Sequence, residues 1–356
     1  MTFLCEPIAK RGEQVETIEQ LAESLEPAMA QAVRQMLDDH ADSVPLDDLQ
    51  AALEDGNTAA VLTIIGDMRA ARIQAVVDAL QNTAWAGGQR EAGRPVLQGV
   101  QFTFNRLNPA LVTWLETYSL NLIREIGEGT RQSVRTILVE GMRTGEGPIA
   151  TARKIKDVVG LTERQAQAVT NYRRALETIH EKRGASDWGL GREIARRNGR
   201  QVTSETDGIN RYRLRDFRYD GVTQRALETG KPLKPEQIAR MVEAYARKYR
   251  RHRSEIIART ETLRAANAGA NETWRQAIAS GLVDADLVRK RWIIAPDERV
   301  CPRCRPIPKL NPPKGVRMSE PFKTPNGTVM LPPVHPSCRC GIIYRLWEPE
   351  QLKPGE

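Results

Sequence analysis

The chain has 356 residues, of which 40% are hydrophobic but only 5% are aromatic. This length allows two or three domains with a sizeable core, and the many Ala, Arg, Glu and Leu residues favour helices. No apolar run is long enough to span a membrane, and the first residues lack the apolar segment of a signal peptide. We therefore expect no membrane association and a reducing, cytoplasmic environment.

The net charge of +8 is unevenly distributed along the chain. Residues 1–95 contain sixteen Asp and Glu against seven Lys and Arg, a net of −9, so the remaining residues carry +17. An acidic segment is repelled by nucleic acid, whereas a basic one is attracted to it. Two surfaces with different partners are predicted, although a solvated helix face is the simpler interpretation of any single charged patch.

Residues 1–95 predict an acidic helical N-terminal region. Apolar residues recur there at helical spacing, and Pro27 is expected to separate the first two helices. Ser43-Val44-Pro45 predicts a turn. Gly87-Gly88 and Gly93-Arg94-Pro95 predict a linker, where we place the first domain boundary. The predicted helices cover residues 15–25, 28–37, 46–54 and 58–80.

Residues 96–287 predict a basic helical body. Asn108 is expected to cap a helix that begins at Pro109, and Thr162 with Gln165 has the spacing of a capping box. Residues 183–218 are rich in arginine and poor in large apolar side chains, so we expect an irregular or partly disordered excursion there. The predicted helices cover residues 109–126, 130–142, 149–159, 163–178 and 254–278, with a further helix that starts at residue 235.

The C-terminal part contains a cluster of potential metal ligands, namely Cys301, Cys304, His335, Cys338 and Cys340. The C-x-x-C pair places two thiolates on one side of a tight turn, and the later residues can complete a tetrahedron around Zn²⁺. Five candidates compete for four places, so one of Cys338, Cys340 and His335 is expected to be spare. Unpaired cysteines without a metal are the simpler alternative. Disulfides are less favoured, because the fifth cysteine, Cys5, lies far away.

A structural zinc is favoured over a catalytic one, because catalytic zinc keeps an open position and needs a nearby base. Residues 288–350 predict a small β-module around this metal, followed by a tail at 351–356. Strands are expected at 289–295 and 341–347, a turn at 296–299, and a hairpin at Pro325-Asn326-Gly327. The predicted fold class is mainly α with a small C-terminal antiparallel β zinc-binding module, α+β overall.

The sequence motifs of catalytic sites are incomplete elsewhere in the chain. His180-Glu181 lacks the second histidine of H-E-x-x-H, and Gly230-Lys231 lacks the spacing of a P-loop. Glu348-Pro349-Glu350 only mimics the E-x-E pair of ADP-ribosyltransferases, because its proline and terminal position do not fit. We therefore expect a protein that is not an enzyme.

A basic run on a predicted helix is a candidate nucleic-acid site, with Tyr245 and Tyr249 interleaved. Such a run could contact phosphates without sequence preference and with strong salt dependence. The candidate residues are Arg247, Lys248, Arg250 and Arg251. The nearby stretch Arg259-Thr260-Glu261 is most simply part of a helix face with pairs at i, i+4.

The cysteine motifs also carry a resemblance. Val300–Cys304 with Leu331–Cys340 resembles the C-terminal signature of the Mu F-like phage head morphogenesis (minor head protein) family. The stretches Ile257–Thr262 and Gly160–Ala166 are similar to the same family. The resemblance runs from about residue 108 to residue 347.

The resemblance implies a phage minor head protein that associates with the portal and with the major capsid or scaffold protein. Such a protein helps capsid assembly or DNA packaging and can contact packaged DNA non-specifically. It implies a place in the virion, at the capsid interior or portal vertex, after assembly in the host cytoplasm. Some members carry an added toxin or nuclease domain, which we do not expect here.

Two alternatives remain open from the sequence. One is a zinc-stabilised, non-specific nucleic-acid-binding protein outside any virion, and the other is an enzyme acting on phage or host components. Portal and terminase genes beside this one would argue against the first, and the second would need a catalytic constellation.

Overall fold

The computed structural model describes residues 13–66, 70–93, 103–183, 194–197, 200–203, 209, 212–294 and 300–352. Helices dominate this part of the chain, which confirms the predicted fold class. None of them combines the length and the apolar character needed to cross a bilayer. The helices are α1 (Glu13–Ser43), α2 (Leu46–Glu54), α3 (Thr58–Gly66), α4 (Ala70–Ala92), α5 (Pro109–Thr144), α6 (Pro148–Val158), α7 (Glu163–Glu177), α8 (Asp220–Thr229), α9 (Pro235–Ala279) and the short α10 (Ile307–Leu310).

The strands form three antiparallel two-stranded ladders in the described residues, and two of these confirm the predicted C-terminal β-module. The first and last module strands pair with Val288 opposite Leu346, and the predicted hairpin pairs Thr324 with Gly327. The strands are β1 (Ile194–Arg197), β2 (Arg200–Thr203), β3 (Val288–Ile293), β4 (Phe322–Thr324), β5 (Gly327–Val329) and β6 (Gly341–Leu346).

The local helix caps agree with the sequence. Asn108 accepts a hydrogen bond from the Ala110 amide at 2.9 Å. Thr162 and Gln165 form both bonds of the capping box at the start of α7. Both caps satisfy amides that have no partner inside their helix, so the starts of α5 and α7 are fixed by residues within one turn.

Several helices are longer than predicted. The expected break at Pro27 is wrong, because α1 continues through it. A proline inside a helix removes one hydrogen bond and costs about 3 kcal/mol. The buried side chains of Met29, Val33 and Met36 on the following turns offset this loss. The breaks expected inside α5 and α9 are likewise absent from those helices.

The linker expected at Gly87-Gly88 is also wrong, because both glycines lie inside α4. A Cβ atom on Gly87 would overlap the backbone of Ala266 on α9, and one on Gly269 would overlap the carbonyl of Ala84. These glycines therefore allow two helices to cross in backbone contact. Of the rest of the predicted linker, Gly93 directly follows α4, and Arg94-Pro95 lies outside the described residues.

The predicted irregular excursion at 183–218 contains regular structure. Its described part includes the β1–β2 hairpin, with Arg197 opposite Arg200, and a 3₁₀ turn at Phe217–Tyr219. The expectation of irregular structure is therefore wrong at these positions. The prediction missed these strands because β1 and β2 lack the alternation of apolar and polar residues that is typical of a strand. Residues 184–193, 198–199, 204–208 and 210–211, and the turn predicted at 296–299, lie outside the described residues.

Backbone contacts divide the chain into two compact units, each built from separated segments. The first unit contains residues 1–33, 73–122 and 254–356, and the second contains residues 34–72 and 123–253. The predicted domains 1–95, 96–287 and 288–350 stay a prediction.

The core of the second unit joins α2, α3, α6, α7, α8 and parts of α5 and α9. Tyr172 packs against Tyr212 and Tyr245 at ring-centroid distances of 4.9 and 4.5 Å. In the first unit, a separate core attaches the β-module to the end of α9. Trp274 of α9 stacks on Tyr344 of β6 at 5.7 Å, so the module rests on a helix as well as on its own strands.

Candidate metal centre

The turn at Cys301–Cys304 brings two sulfurs to one side of the backbone. The amides of Cys304 and Arg305 both donate to the Cys301 carbonyl at 3.1 Å. The Cys304 side chain is buried, whereas the Cys301 side chain is half-buried. The turn leads directly into α10. Its geometry is that of the C-x-x-C knuckle expected from the sequence.

The second ligand-bearing segment is the loop His335–Cys340 before β6. The Cys338 amide donates to the His335 carbonyl at 3.2 Å, and Ser337 has a left-handed φ of 58°. That conformation is unfavourable for a residue with a Cβ atom. The Ser337 amide donates to Thr260 Oγ1 on α9 at 3.0 Å, which helps to hold this conformation.

The five predicted ligands lie in two overlapping groups. One contains Cys301, Cys304 and His335, and the other contains Cys304, Cys338 and Cys340. His335 Nε2 is 3.0 Å from Cys301 Sγ and 3.1 Å from Cys304 Sγ. Cys304 Sγ is 3.8 Å from Cys338 Sγ. All five residues line one cavity of about 40 Å³.

These distances and atom types fit a metal ion. Tetrahedral Zn–S bonds of about 2.3 Å place two sulfurs about 3.8 Å apart, the distance between Cys304 and Cys338. His335 Nδ1 lies 2.8 Å from the Pro336 carbonyl, so the proton is placed on Nδ1 and the Nε2 lone pair faces the sulfurs. The cluster could hold a metal ion. That one of Cys338, Cys340 and His335 is spare stays a prediction.

The crowded sulfurs have strongly separated pKa values. A hydrogen bond with Cys304 lowers the pKa of Cys338 to about 2. Hydrogen bonds with Cys338 and Cys340 raise the pKa of Cys304. The two shifts have opposite directions because the neighbouring sulfurs compete for the same hydrogen bonds. Bound metal requires deprotonated ligands, so a divalent cation would replace the thiol protons.

Two contacts outside the sulfur cluster fix the second loop to helices of the same unit. The first is the hydrogen bond that the Ser337 amide donates to Thr260 Oγ1 on α9. The second is an ion pair of 3.3 Å between Arg339 and Glu19 on α1, both largely buried. The stretch that contains Thr260 resembles the Mu F-like family in sequence. The sequence did not indicate that Thr260 contacts Ser337, because 77 residues separate the two.

Glu261, beside Thr260, is also buried and accepts a hydrogen bond from the Tyr118 hydroxyl. Its carboxylate lies 3.4 Å from Arg264 Nε. The Arg259-Thr260-Glu261 stretch therefore does more than present a solvated helix face. Thr260 supports the ligand loop, and Glu261 fixes α9 to α5.

The structure does not bring the predicted nucleic-acid residues onto one surface. Arg250 is fully buried and pairs with Asp38 at 2.7 Å and Glu243 at 2.9 Å, so it is unavailable to a phosphate. Arg247 is exposed but pairs with Glu243 at 2.7 Å. Lys248 donates to the Arg215 carbonyl at 3.0 Å, and Arg251 is exposed. Among the four, Arg250 is a structural residue of the second unit.

Comparison with known proteins gave one finding. No curated protein and no solved structure matches the chain. Residues 220–343 match the family model described as "Phage Mu protein F like protein". This region begins at α8, includes α9 and ends within β6, so it contains all five candidate ligands; the similar stretch at 160–166 lies outside it. The match confirms the resemblance to the Mu F-like phage head morphogenesis family that the cysteine and histidine motifs indicated.

Proposed function

We propose that the chain is a phage minor head protein, a structural component that associates with the portal and procapsid and aids capsid assembly or DNA packaging. The observation that carries this proposal is the match of residues 220–343 to the Mu F-like family. That match indicates a phage head morphogenesis protein. Portal binding, a place in the virion and a role in packaging are the finer parts of the proposal.

The metal in this proposal is a structural zinc. The candidate ligands are mainly cysteines, and Cys304, Cys338 and Cys340 are buried members of the same core as Trp274 and Tyr344. Zinc supplies about 10–16 kcal/mol of apparent binding energy to small modules of this kind. Cys304 belongs to both ligand groups, so we assign it as a ligand. The role of the zinc is to close the core of the β-module. A structural role for the metal supports the proposal that the protein is not an enzyme.

The acidic N-terminal region offers a surface for the portal. Asp47, Asp48 and Asp55 are exposed on α2 or at its end. Carboxylates repel DNA and are favourable opposite a basic protein surface. Removal of residues 1–95 would be a poor test, because Glu91 on α4 accepts a hydrogen bond from buried Trp274 at 3.1 Å. Point substitutions on α2 leave this core intact.

The test is co-expression with the cognate portal protein, followed by co-purification. The full-length chain should purify with portal, and the triple variant Asp47→Asn, Asp48→Asn and Asp55→Asn should weaken the complex. The matched control replaces Glu348 and Glu350 of the β-module with Gln, since both are also exposed. An equal effect of both variants would remove α2 as the docking surface. If the unmodified chain never associates with portal or procapsid, the proposed function is wrong.

A further inference from the structure

Four exposed basic side chains lie on the cysteine turn and on two elements that follow it. Arg303 lies inside the turn, Arg305 follows Cys304, Lys309 lies on α10 and Lys323 lies on β4. We call these four residues the basic knuckle. It belongs entirely to the first unit and is separate from the helical basic run at residues 247–251.

Hydrogen bonds of one side chain, that of Asn311, bring two segments of the basic knuckle together. The side chain of Asn311, just after α10, donates to the Lys323 carbonyl and accepts from the Lys323 amide, both at 2.9 Å. It also donates to the Ile307 carbonyl at 2.8 Å. These bonds place α10 beside β4. The bonds to the Cys301 carbonyl hold Arg305 at the start of the same surface.

The charges of the basic knuckle are not neutralised by carboxylates in the part of the chain that the structure describes. None of its four side chains forms an ion pair with a carboxylate of the described residues. Arg250 and Arg339 differ, because both are paired with acidic residues. Across residues 288–350 the sequence has twelve Lys and Arg against five Asp and Glu, a net of +7. An exposed surface of this kind attracts an external polyanion.

We propose that the basic knuckle binds the phosphate backbone of duplex DNA without sequence preference. Arginine and lysine side chains are the main phosphate contacts of DNA-binding proteins. At four residues, α10 is too short to read bases as a recognition helix in the major groove. The proposal rests on the proposed zinc, because Arg303 and Arg305 are positioned by the turn that carries Cys301 and Cys304.

The aromatic side chains of the module argue for duplex DNA over other partners. Three of the four, Trp292, Phe322 and Tyr344, are buried, and the fourth, Trp347, is half-buried after the end of β6. The three buried rings are therefore unavailable for stacking, and a single half-buried ring does not form the row of aromatic side chains on which successive bases of a single strand stack. The three buried rings are equally unavailable as the aromatic anchors that dominate the energetics of protein interfaces. Charge is what the basic knuckle presents, and the uniform charge of a duplex backbone fits it.

The experiment measures binding of a fluorescent 20-base-pair duplex to the full-length, zinc-loaded protein by anisotropy between 50 and 200 mM salt. Four phosphate contacts contribute about −3.6 to the slope of log affinity against log salt. This contribution corresponds to about a 150-fold loss of affinity over that range. The variant Arg303→Gln, Arg305→Gln, Lys309→Gln and Lys323→Gln should reduce the slope by that amount. Circular dichroism and zinc content establish that the variant is folded.

The matched control is the variant Arg247→Gln, Lys248→Gln and Arg251→Gln, which leaves buried Arg250 in place. Its slope should equal that of the unmodified protein. The inference is overturned if the knuckle variant keeps the full slope or if the control variant accounts for the loss. Absence of duplex binding by the unmodified protein overturns the inference as well. If the knuckle variant then also fails to co-purify with portal, the basic knuckle is a surface that binds a protein.

Portal co-purification of the same variants separates this inference from the proposed function. If the knuckle variant loses DNA binding while its portal complex persists, both proposals are supported independently. If the unmodified protein binds duplex DNA through the knuckle but never associates with portal or procapsid, the inference stands and the proposed function is wrong.

Discussion

Replacement of Arg250 by methionine tests the buried ion-pair network of the second unit. The Arg250 side chain has no exposed surface and lies between Asp38 and Glu243, at 2.7 and 2.9 Å. Methionine retains most of the apolar stem but removes the charge. Asp38 and Glu243 would then face each other's charge without the guanidinium that separates them, so the folded state should lose stability.

The expected size follows from the exposure of the two carboxylates. Removal of one partner from a buried ion pair costs about 3–5 kcal/mol. The side chains of Asp38 and Glu243 remain 31% and 37% exposed, so water can partly solvate the charges left behind. We therefore expect a loss near the lower end, about 3 kcal/mol. For a unit of this size the corresponding fall in Tm is about 6–12 °C.

Urea unfolding followed by circular dichroism measures this loss. The control is Arg251→Met, one residue further along α9 and exposed, for which we expect a change within about 0.5 kcal/mol. The combined variant Arg250→Met, Asp38→Asn and Glu243→Gln should recover part of the stability, because no uncompensated charge remains. Equal losses for Arg250→Met and Arg251→Met would refute the structural role of Arg250 and restore it as a candidate phosphate contact.

Two further predictions concern the β-module. Purified protein should contain about one zinc per chain. The Cys304→Ser variant should lose the zinc and the near-ultraviolet circular dichroism signal of Trp292, while most of the helical signal remains. Cys5→Ser is the control variant, and a folded β-module without metal would contradict the zinc assignment. Burial lowers the pKa of Lys290 from 10.5 to about 8, so the folded protein binds fewer protons between those values and its unfolding free energy should rise with pH there. Lys290→Met should flatten that rise in urea titrations of zinc-loaded protein at pH 8 and 10, and an unchanged rise would show that other groups cause it.

Features encoded within a few residues were predictable from the sequence. The capping box at Thr162 and Gln165 needs only local spacing, and so does the hairpin at residues 325–327. The C-x-x-C pair is equally local. The other candidate ligands, His335, Cys338 and Cys340, follow more than thirty residues later. Cysteine and histidine are rare enough in this chain that their clustering indicated the site.

Features that depend on distant partners were not predictable in the same way. Arg250 looks like any member of a basic helical run, because its partner Asp38 is 212 residues away. Thr260 likewise has an ordinary helical context until Ser337 is placed beside it. Gly87-Gly88 has the composition of a linker, and only the backbone of α9 explains why glycine is needed inside α4. In each case the missing information was the identity of a tertiary neighbour.

The glycine crossing of α4 and α9 limits which amino acids the chain can accept. Most buried positions tolerate another apolar residue of similar volume. Gly269 differs, because even the single methyl group of alanine would overlap the Ala84 carbonyl. In a library of single substitutions selected for folded protein, such a site should admit glycine alone, whereas a large core residue admits several replacements. We therefore expect Gly87 and Gly269 to accept fewer substitutions than the large core residues of the first unit, so engineering of this protein should start from its outer helix faces.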